Sequence, residues 1–321
     1  VRSFVSRRDI IKVFEGADKS TTEPGNPEDV YSQSDIVSMK EENIGIGVIG
    51  LGTVGSGVMH IYRENRERLL AGSSIPLRLE AVCDLDFTRC SADLSGLRQT
   101  GNWLSMVDDP RIGIVVELIG GEEPARSIIE ASLQAGKHVV TANKLVLAKH
   151  GMALWNLAAA NGVSLLFEAA VGGAIPLIAP LGSTLLPNRV QGIYGILNGT
   201  TNYILTRMID QGADYQTVLK EAQEYGYAEA DPTSDVEGFD SLYKLCVLCA
   251  MTFQANIPLQ EVLREGITGI DGEDIRFLKE RGQTVKLIAI ARPIGARLEL
   301  RVHPVVLDRN HPLAAVKDVF N

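Results

Sequence analysis

Glu229, Asp235, Asp240 and Lys244 fall within twenty-three residues, Ala222 to Lys244, a stretch punctuated by Gly226, Pro232 and Gly238. Carboxylates and an ammonium gathered on a glycine- and proline-broken loop can orient a polar substrate and move a proton. Asp240 and Lys244 are four apart, so on a helix they share one face. Alone such a pair means little, since exposed pairs at this spacing are worth about 0.3–0.5 kcal/mol. Here the pair is followed by Leu245–Phe253, which is apolar all round and predicts a buried helix. A charged pair that opens a buried helix lines a cleft.

A second constellation is Gly45-Ile-Gly-Val-Ile-Gly50-Leu-Gly52-Thr-Val-Gly55, a G-x-G-x-x-G between an expected strand and an expected helix. In that context Gly50 permits the tight turn, Gly52 lets the backbone approach a pyrophosphate, and Gly55 lets helix and strand pack closely. The N–H groups of Thr53 and Val54 then face phosphates at the positive end of the helix. Asp84 ends the second strand, 32 residues after Gly52. An acid there suits a ribose 2′-hydroxyl and NAD, whereas nearby Arg89 suits a 2′-phosphate and NADP; both stay open. Ile119-Gly-Gly121 and Thr141-Ala-Asn-Lys144 follow further strands, at the sheet edge where ligands bind. A lysine at a helix start opposes the helix dipole, so Lys144 points to a role beside cofactor or substrate.

The elements that must position these groups divide the chain of 321 residues in two. Short apolar runs (Ile44–Ile49, Leu77–Cys83, Ile112–Ile119, His138–Thr141, Val163–Phe167) alternate with helices over Val54–Leu70, Pro124–Gln134 and Met152–Ala160. Near-continuous apolar strands between helices predict a Rossmann-type parallel sheet covered on both faces. Gly136 and Gly162 stand where a helix ends in a left-handed residue. Further on, Val190–Leu197 reads as a strand. Thr201–Gln211, Tyr215–Tyr225 and Gly238–Ala255 read as helices, and another helix ends over Arg276–Arg281. Thr284–Ala291 and Leu298–Val306 read as antiparallel strands joined through Pro293-Ile-Gly295. The fold class is therefore α/β, a parallel dinucleotide-binding sheet over 44–168 followed by an α+β domain over 169–321 with a mixed or antiparallel sheet. Residues 1–43 are polar, aperiodic and carry nine acids against six bases, which reads as a flexible leader and argues against a transit peptide.

A net charge of −9 with no basic cluster makes nucleic acid and anionic membrane poor partners. No apolar run reaches the ~20 residues of a membrane span. Four cysteines suit a reducing, cytoplasmic setting, and Cys246-x-x-Cys249 inside an apolar helix reads as core. The five histidines show no ligand spacing.

The spacing of Ala222, Gly226, Asp231-Pro232, Asp235, Gly238, Asp240 and Lys244 resembles the signature of homoserine dehydrogenases. Gly50–Gly55, Thr141–Lys144, Phe167–Pro176 and Gly195–Tyr203 agree with that family in order and spacing. The resemblance covers about residues 44 to 321 and implies NAD- or NADP-dependent interconversion of L-aspartate 4-semialdehyde and L-homoserine. It implies Lys244 as proton donor and Asp240 as its orienting partner and a substrate contact. Glu229, Asp235, Gly199 and Thr200 would join Asp240 around the substrate, and Lys144 and Gly226 would touch the cofactor. The turn Glu168–Ile175 is similar to the family's sodium site, with carbonyl oxygens of Glu168, Val171, Gly173 and Ile175 as ligands; the residues alone equally allow an interdomain hinge there. A homodimer through the second domain is also implied, and the family's catalytic region continues past Asn321. The chemistry fits these residue types, since aldehyde reduction needs a hydride on carbon and a proton on the developing alkoxide. Two other readings stand beside it, a nucleotide sensor without turnover and a dehydrogenase for another small amino-acid semialdehyde.

Overall fold

A computed structural model describes residues 43–72 and 75–321 of the chain; the expected leader lies outside them apart from its last residue. The strands are β1 (Ile44–Ile49), β2 (Leu77–Cys83), β3 (Arg98–Thr100), β4 (Ile112–Glu117), β5 (His138–Thr141), β6 (Leu165–Leu166), β7 (Ile193–Gly195), β8 (Leu263–Arg264), β9 (Gln283–Ile294) and β10 (Arg297–Asp308). The helices are α1 (Thr53–Glu64), α2 (Arg66–Ala71), α3 (Leu104–Val107), α4 (Ala125–Gln134), α5 (Lys144–Ala160) and α6 (Ile178–Gly182). Then come α7 (Gly199–Gln211), α8 (Tyr215–Glu224), α9 (Thr233–Val236), α10 (Phe239–Phe253) and α11 (Gly272–Glu280). Two compact units form. One holds the described residues up to Ile119 with Ser127–Val140 and Asn156–Leu165; the other holds Gly120–Arg126, Thr141–Trp155 and Leu166–Asn321.

The first unit is built on a six-stranded sheet of order β3-β2-β1-β4-β5-β6. β1 runs parallel to both β2 and β4. Successive residues of these strands bury on opposite faces: Ile49, Ala81 and Val115 pack in one core, Val48, Val82 and Val116 in another. Burial on both faces is why the strands read as unbroken apolar runs. Chain order reverses between β1 and β4, the place where such sheets open a ligand crevice.

The second unit carries a mixed sheet of order β7-β9-β10-β8. β9 and β10 pair antiparallel residue for residue, from Gln283–Asp308 to Ile294–Arg297, and β8 pairs parallel with β10. Pairing up to the Gly295 turn (φ 60°) extends both strands beyond the apolar runs that announce them. The parallel sheet and the mixed second sheet are the architecture expected from the pattern.

Four local expectations need correcting, the first being the strand read over Val190–Leu197, which is only Ile193–Gly195. The helix expected over Val54–Leu70 is two helices, because the Asn65 amide and its own backbone N–H both bond the Ile61 carbonyl and end α1. The helix expected from Met152 begins at Lys144, since Asn143 Oδ1 accepts the Val146 N–H as an N-cap. The strand expected over Val163–Phe167 is only Leu165–Leu166. β3 and β8 are short and carry no apolar run that could announce them.

Candidate active site

In the first unit the glycine turn sits at the β1–β4 switch point. Gly50 has φ 97°, and a Cβ there would lie 2.6 Å from the Leu118 carbonyl carbon, so only glycine fits. A Cβ on Gly55 would meet the Gly50 oxygen at 2.0 Å, which is the close helix–strand packing expected of it. Around Gly52 a Cβ would meet nothing within 4 Å. That open cradle precedes α1, whose first-turn N–H groups at Thr53 and Val54 have no intrahelical acceptor. Val54 is 54 % exposed although apolar. The turn therefore offers orphan donors, a positive helix end and room for a phosphate, and it fits a dinucleotide. Asp84 ties this turn to β2: its Oδ2 accepts the Leu51 N–H at 2.6 Å and its Oδ1 the Asp86 N–H at 3.0 Å.

In the second unit the Ala222–Lys244 stretch folds as the end of α8, a loop, the single turn α9 and the start of α10. Gly238, at φ 80°, makes the left-handed turn that separates α9 from α10 and puts Asp240 in the first turn of α10. Asp240 is 3 % exposed. Its Oδ2 lies 2.6 Å from Lys244 Nζ and its Oδ1 3.0 Å from Lys144 Nζ. The dipole misfit of Lys144 at the start of α5 is thus offset by a buried carboxylate. Burial pushes the Asp240 carboxyl up, but the Lys244 and Lys144 ammoniums outweigh it and hold it below the usual carboxylate range. Burial and the neighbouring Asp240 charge push the Asp235 carboxyl the other way, against the opposing Asn198 hydrogen bond. Past Lys244, residues Leu245–Cys249 are all buried, so the pair opens a buried helix as its sequence suggested.

Lys244 Nζ also donates to the Leu197 carbonyl at 2.7 Å. An ammonium has three donors, so one N–H of Lys244 has no protein acceptor among the described residues. Between Leu197 and α7 stands Asn198, a site residue that the sequence reading passed over. Its Nδ2 donates to Asp235 Oδ1 at 2.7 Å and to Asp240 Oδ2 at 2.9 Å. Its Oδ1 accepts the Thr201 N–H at 2.8 Å and caps α7. Asn before Gly-Thr-Thr is an N-cap signal, and that is the cue that could have found it.

Asp235, Asp240, Lys244 and Lys144 therefore form one cluster, and Gly199 and Thr200 adjoin it as the first residues of α7. The Thr200 hydroxyl donates to the Tyr227 carbonyl at 2.6 Å, which draws the Gly226–Glu229 loop to the start of α7. Gly226 is left-handed, at φ 74°, just past α8. Glu229 is exposed, and among the described residues no hydrogen bond or ion pair joins its carboxylate to Asp240 or Lys244. The Glu168–Ile175 turn is apart from this network. Its Glu168 carboxylate accepts N–H groups of Leu177, Ile178 and Ala179 at 2.7–2.9 Å and caps α6. Gly172 and Ala174 are both left-handed there, at φ 64° and 66°. For Ala174 that conformation costs about 1 kcal/mol or more. Among the described residues no three His, Cys, Asp or Glu side chains gather as a metal site. Cys246 and Cys249 are buried and free, as the core reading requires. A cavity of about 430 Å³ in this unit is lined by Lys149, Phe239, Tyr243 and Arg264 among others. It lies off the Asp240–Lys244 face, so hydrogen-bond geometry rather than hollow space locates the site.

Two family models match the chain: homoserine dehydrogenase over residues 176–321, and the NAD-binding domain of homoserine dehydrogenase over 50–168. A homoserine dehydrogenase of Synechocystis is 45% identical over 280 residues, covering 86% of this chain and 64% of the relative. One from Bacillus subtilis is 43% identical, covering 87% and 64%. The chain thus spans just under two thirds of the length of these relatives. Among solved structures, a homoserine dehydrogenase from Thiobacillus denitrificans superimposes with TM-score 0.83 at 43% identity, covering 86% of this chain and 64% of that one. A hyperthermophilic archaeal homoserine dehydrogenase in complex with NADPH gives TM-score 0.72 at 26% identity, covering 86% of both chains. With the glycine turn and the Asp240–Lys244 cluster both where the signature predicts them, this chain belongs to the homoserine dehydrogenase family.

Proposed function

We propose that the chain carries out NAD(P)-dependent interconversion of L-aspartate 4-semialdehyde and L-homoserine, a step on the way to threonine and methionine. The observation that carries this reading is the Lys244 ammonium, fixed by Asp240 and the Leu197 carbonyl with one N–H left over. That N–H donates to the aldehyde oxygen and passes it a proton as the alkoxide develops. Asp240 keeps the ammonium aimed, and the loss of its negative charge would leave Lys144 and Lys244 facing each other. Asp235, Asp240, Gly199, Thr200 and Glu229 hold the polar groups of the amino acid; Glu229, exposed and without an ion pair among the described residues, has its carboxylate available for an ammonium. The nicotinamide, when bound, supplies the hydride.

The dinucleotide belongs to Gly50–Gly55 and the parallel-sheet part, the substrate to the second part. Lys144 and Gly226 are proposed cofactor contacts. NADP is favoured over NAD by two features. Both oxygens of Asp84 already accept backbone N–H groups, and Arg89, exposed beyond β2, makes no side-chain hydrogen bond or ion pair among the described residues. A sodium ion on the carbonyls of Glu168, Val171, Gly173 and Ile175 is supported by the strained Gly172–Ala174 turn that Glu168 pins in place. A homodimer and a cytoplasmic setting complete the reading; all four cysteines are free, and no helix among the described residues is long and apolar enough to cross a membrane. The test is oxidation of NADPH and of NADH with L-aspartate 4-semialdehyde, with and without sodium. The reading expects turnover that depends on this aldehyde and is faster with NADPH. Nucleotide binding without turnover, or equal turnover with longer semialdehydes, contradicts it.

A further inference from the structure

We propose that Asn198 is the positioning residue of this site, a carboxamide bridge that holds the Asp235 and Asp240 carboxylates side by side and so fixes the direction of the Lys244 ammonium. The inference rests on the reading of Lys244 as proton donor. The Asp240 carboxylate is close enough to Asp235 to raise the cost of ionising it. Two lysines neutralise Asp240, but among the described residues no ion pair reaches Asp235. What reaches both acids is the Asn198 amide, whose Nδ2 donates to Asp235 Oδ1 at 2.7 Å and to Asp240 Oδ2 at 2.9 Å. Asn198 is 4 % exposed, so water does not compete for those hydrogens.

The residue type follows from the demand. The position needs an acceptor for the Thr201 N–H that starts α7 and two donors for the two acids. Only a carboxamide offers both, and the short Asn keeps the acceptor in N-cap position. The Thr201 N–H, which can only donate, reaches Asn198 Oδ1 at 2.8 Å and fixes which way round the amide lies. Asn198 also follows Leu197, whose carbonyl is the second anchor of Lys244. One residue thus sets the position of the acid on one side of the ammonium and, through its own backbone, of the carbonyl on the other. Asn198 touches neither substrate nor proton; it acts through Asp240.

Asn198→Ser and Asn198→Asp separate this role from capping. Both retain an N-cap oxygen and should stay folded with α7 intact by circular dichroism, melting below the parent because the bridge is lost, Asn198→Asp lower than Asn198→Ser. Ser cannot bridge two acids, and Asp places a third carboxylate against them. The carboxyl carbons of Asp235 and Asp240, followed by NMR in protein labelled with ¹³C-aspartate, should titrate at higher pH in both variants, by a unit or more at Asp235. The kcat for semialdehyde reduction should fall about 10-fold in Asn198→Ser and further in Asn198→Asp, with KM changing less than threefold. Unmoved titrations in a folded variant overturn the bridge, as does a fall in kcat matched by loss of the fold. Lys244→Ala is assayed alongside. If it keeps parental turnover the proton-donor reading fails, while the titrations still decide whether Asn198 joins the two acids.

Discussion

Replacing Asp240 by Asn tests how much the buried charge network contributes. The substitution keeps shape and removes one negative charge from a side chain that is 5 % exposed. Stripping one partner from a buried ion pair costs about 3–5 kcal/mol. Two lysines share this carboxylate unequally, however: the Lys244 side chain is 16 % exposed and that of Lys144 39 %. Water can take over most of the Lys144 share, which then contributes no more than about 1 kcal/mol. Lys244 keeps its bond to the Leu197 carbonyl. A net loss of about 3 kcal/mol follows, or about 6–12 °C in melting temperature for a domain of this size. The assay is calorimetric melting of both proteins at pH 7 in 0.1 M and 1 M NaCl, with urea unfolding as a check. Because the pair is buried, the difference should survive high salt. Its pH dependence has a definite sign. Asp240 has a folded-state pKa below its unfolded value, so its contribution is complete above the usual carboxylate value of about 4 and is lost as pH falls through the lower folded value. A difference under about 2 °C, or one abolished by salt, would refute the burial argument.

Two further outcomes follow from the geometry. Gly50→Ala should cost about 2 kcal/mol or more, because φ is 97° and Leu118 blocks the Cβ. Gly52→Ala should leave stability within about 0.5 kcal/mol yet weaken nucleotide binding, which thermal melts and NADPH titration distinguish. Lys286 is 2 % exposed and bonded to Asn202, Thr206 and the Val316 carbonyl, and burial lowers its pKa to about 8. Between about pH 8 and 10.5 the unfolded chain retains a proton that the folded one has released, so stability should rise there by about 3 kcal/mol in all. Lys286→Met should lack that rise in pH-resolved urea unfolding.

Much of the site is legible in the residues because its parts obey local rules. Gly50 and Gly238 announce left-handed turns, the apolar run after Lys244 announces a buried helix, and i,i+4 spacing puts Asp240 and Lys244 on one face. The parallel sheet follows from the alternation of apolar runs with helices. What escapes is non-local or doubly employed. Lys144 reads as a dipole misfit until Asp240, 96 residues later, is found against it. Asn143 and Asn198 hide behind their neighbours: reading Lys144 for its charge and Gly199-Thr200 for the family motif conceals that each asparagine is the N-cap that sets its helix. Asp84 also holds the backbone of the turn, a contact between residues 33 apart that no spacing rule foretells.

The most direct test is the rate of NADPH oxidation by L-aspartate 4-semialdehyde in Lys244→Ala against the parent, with small primary amines added in solution. Turnover in the variant should fall about 10²-fold or more and recover in part as the amine replaces the missing ammonium. Parental turnover without the lysine would contradict the account.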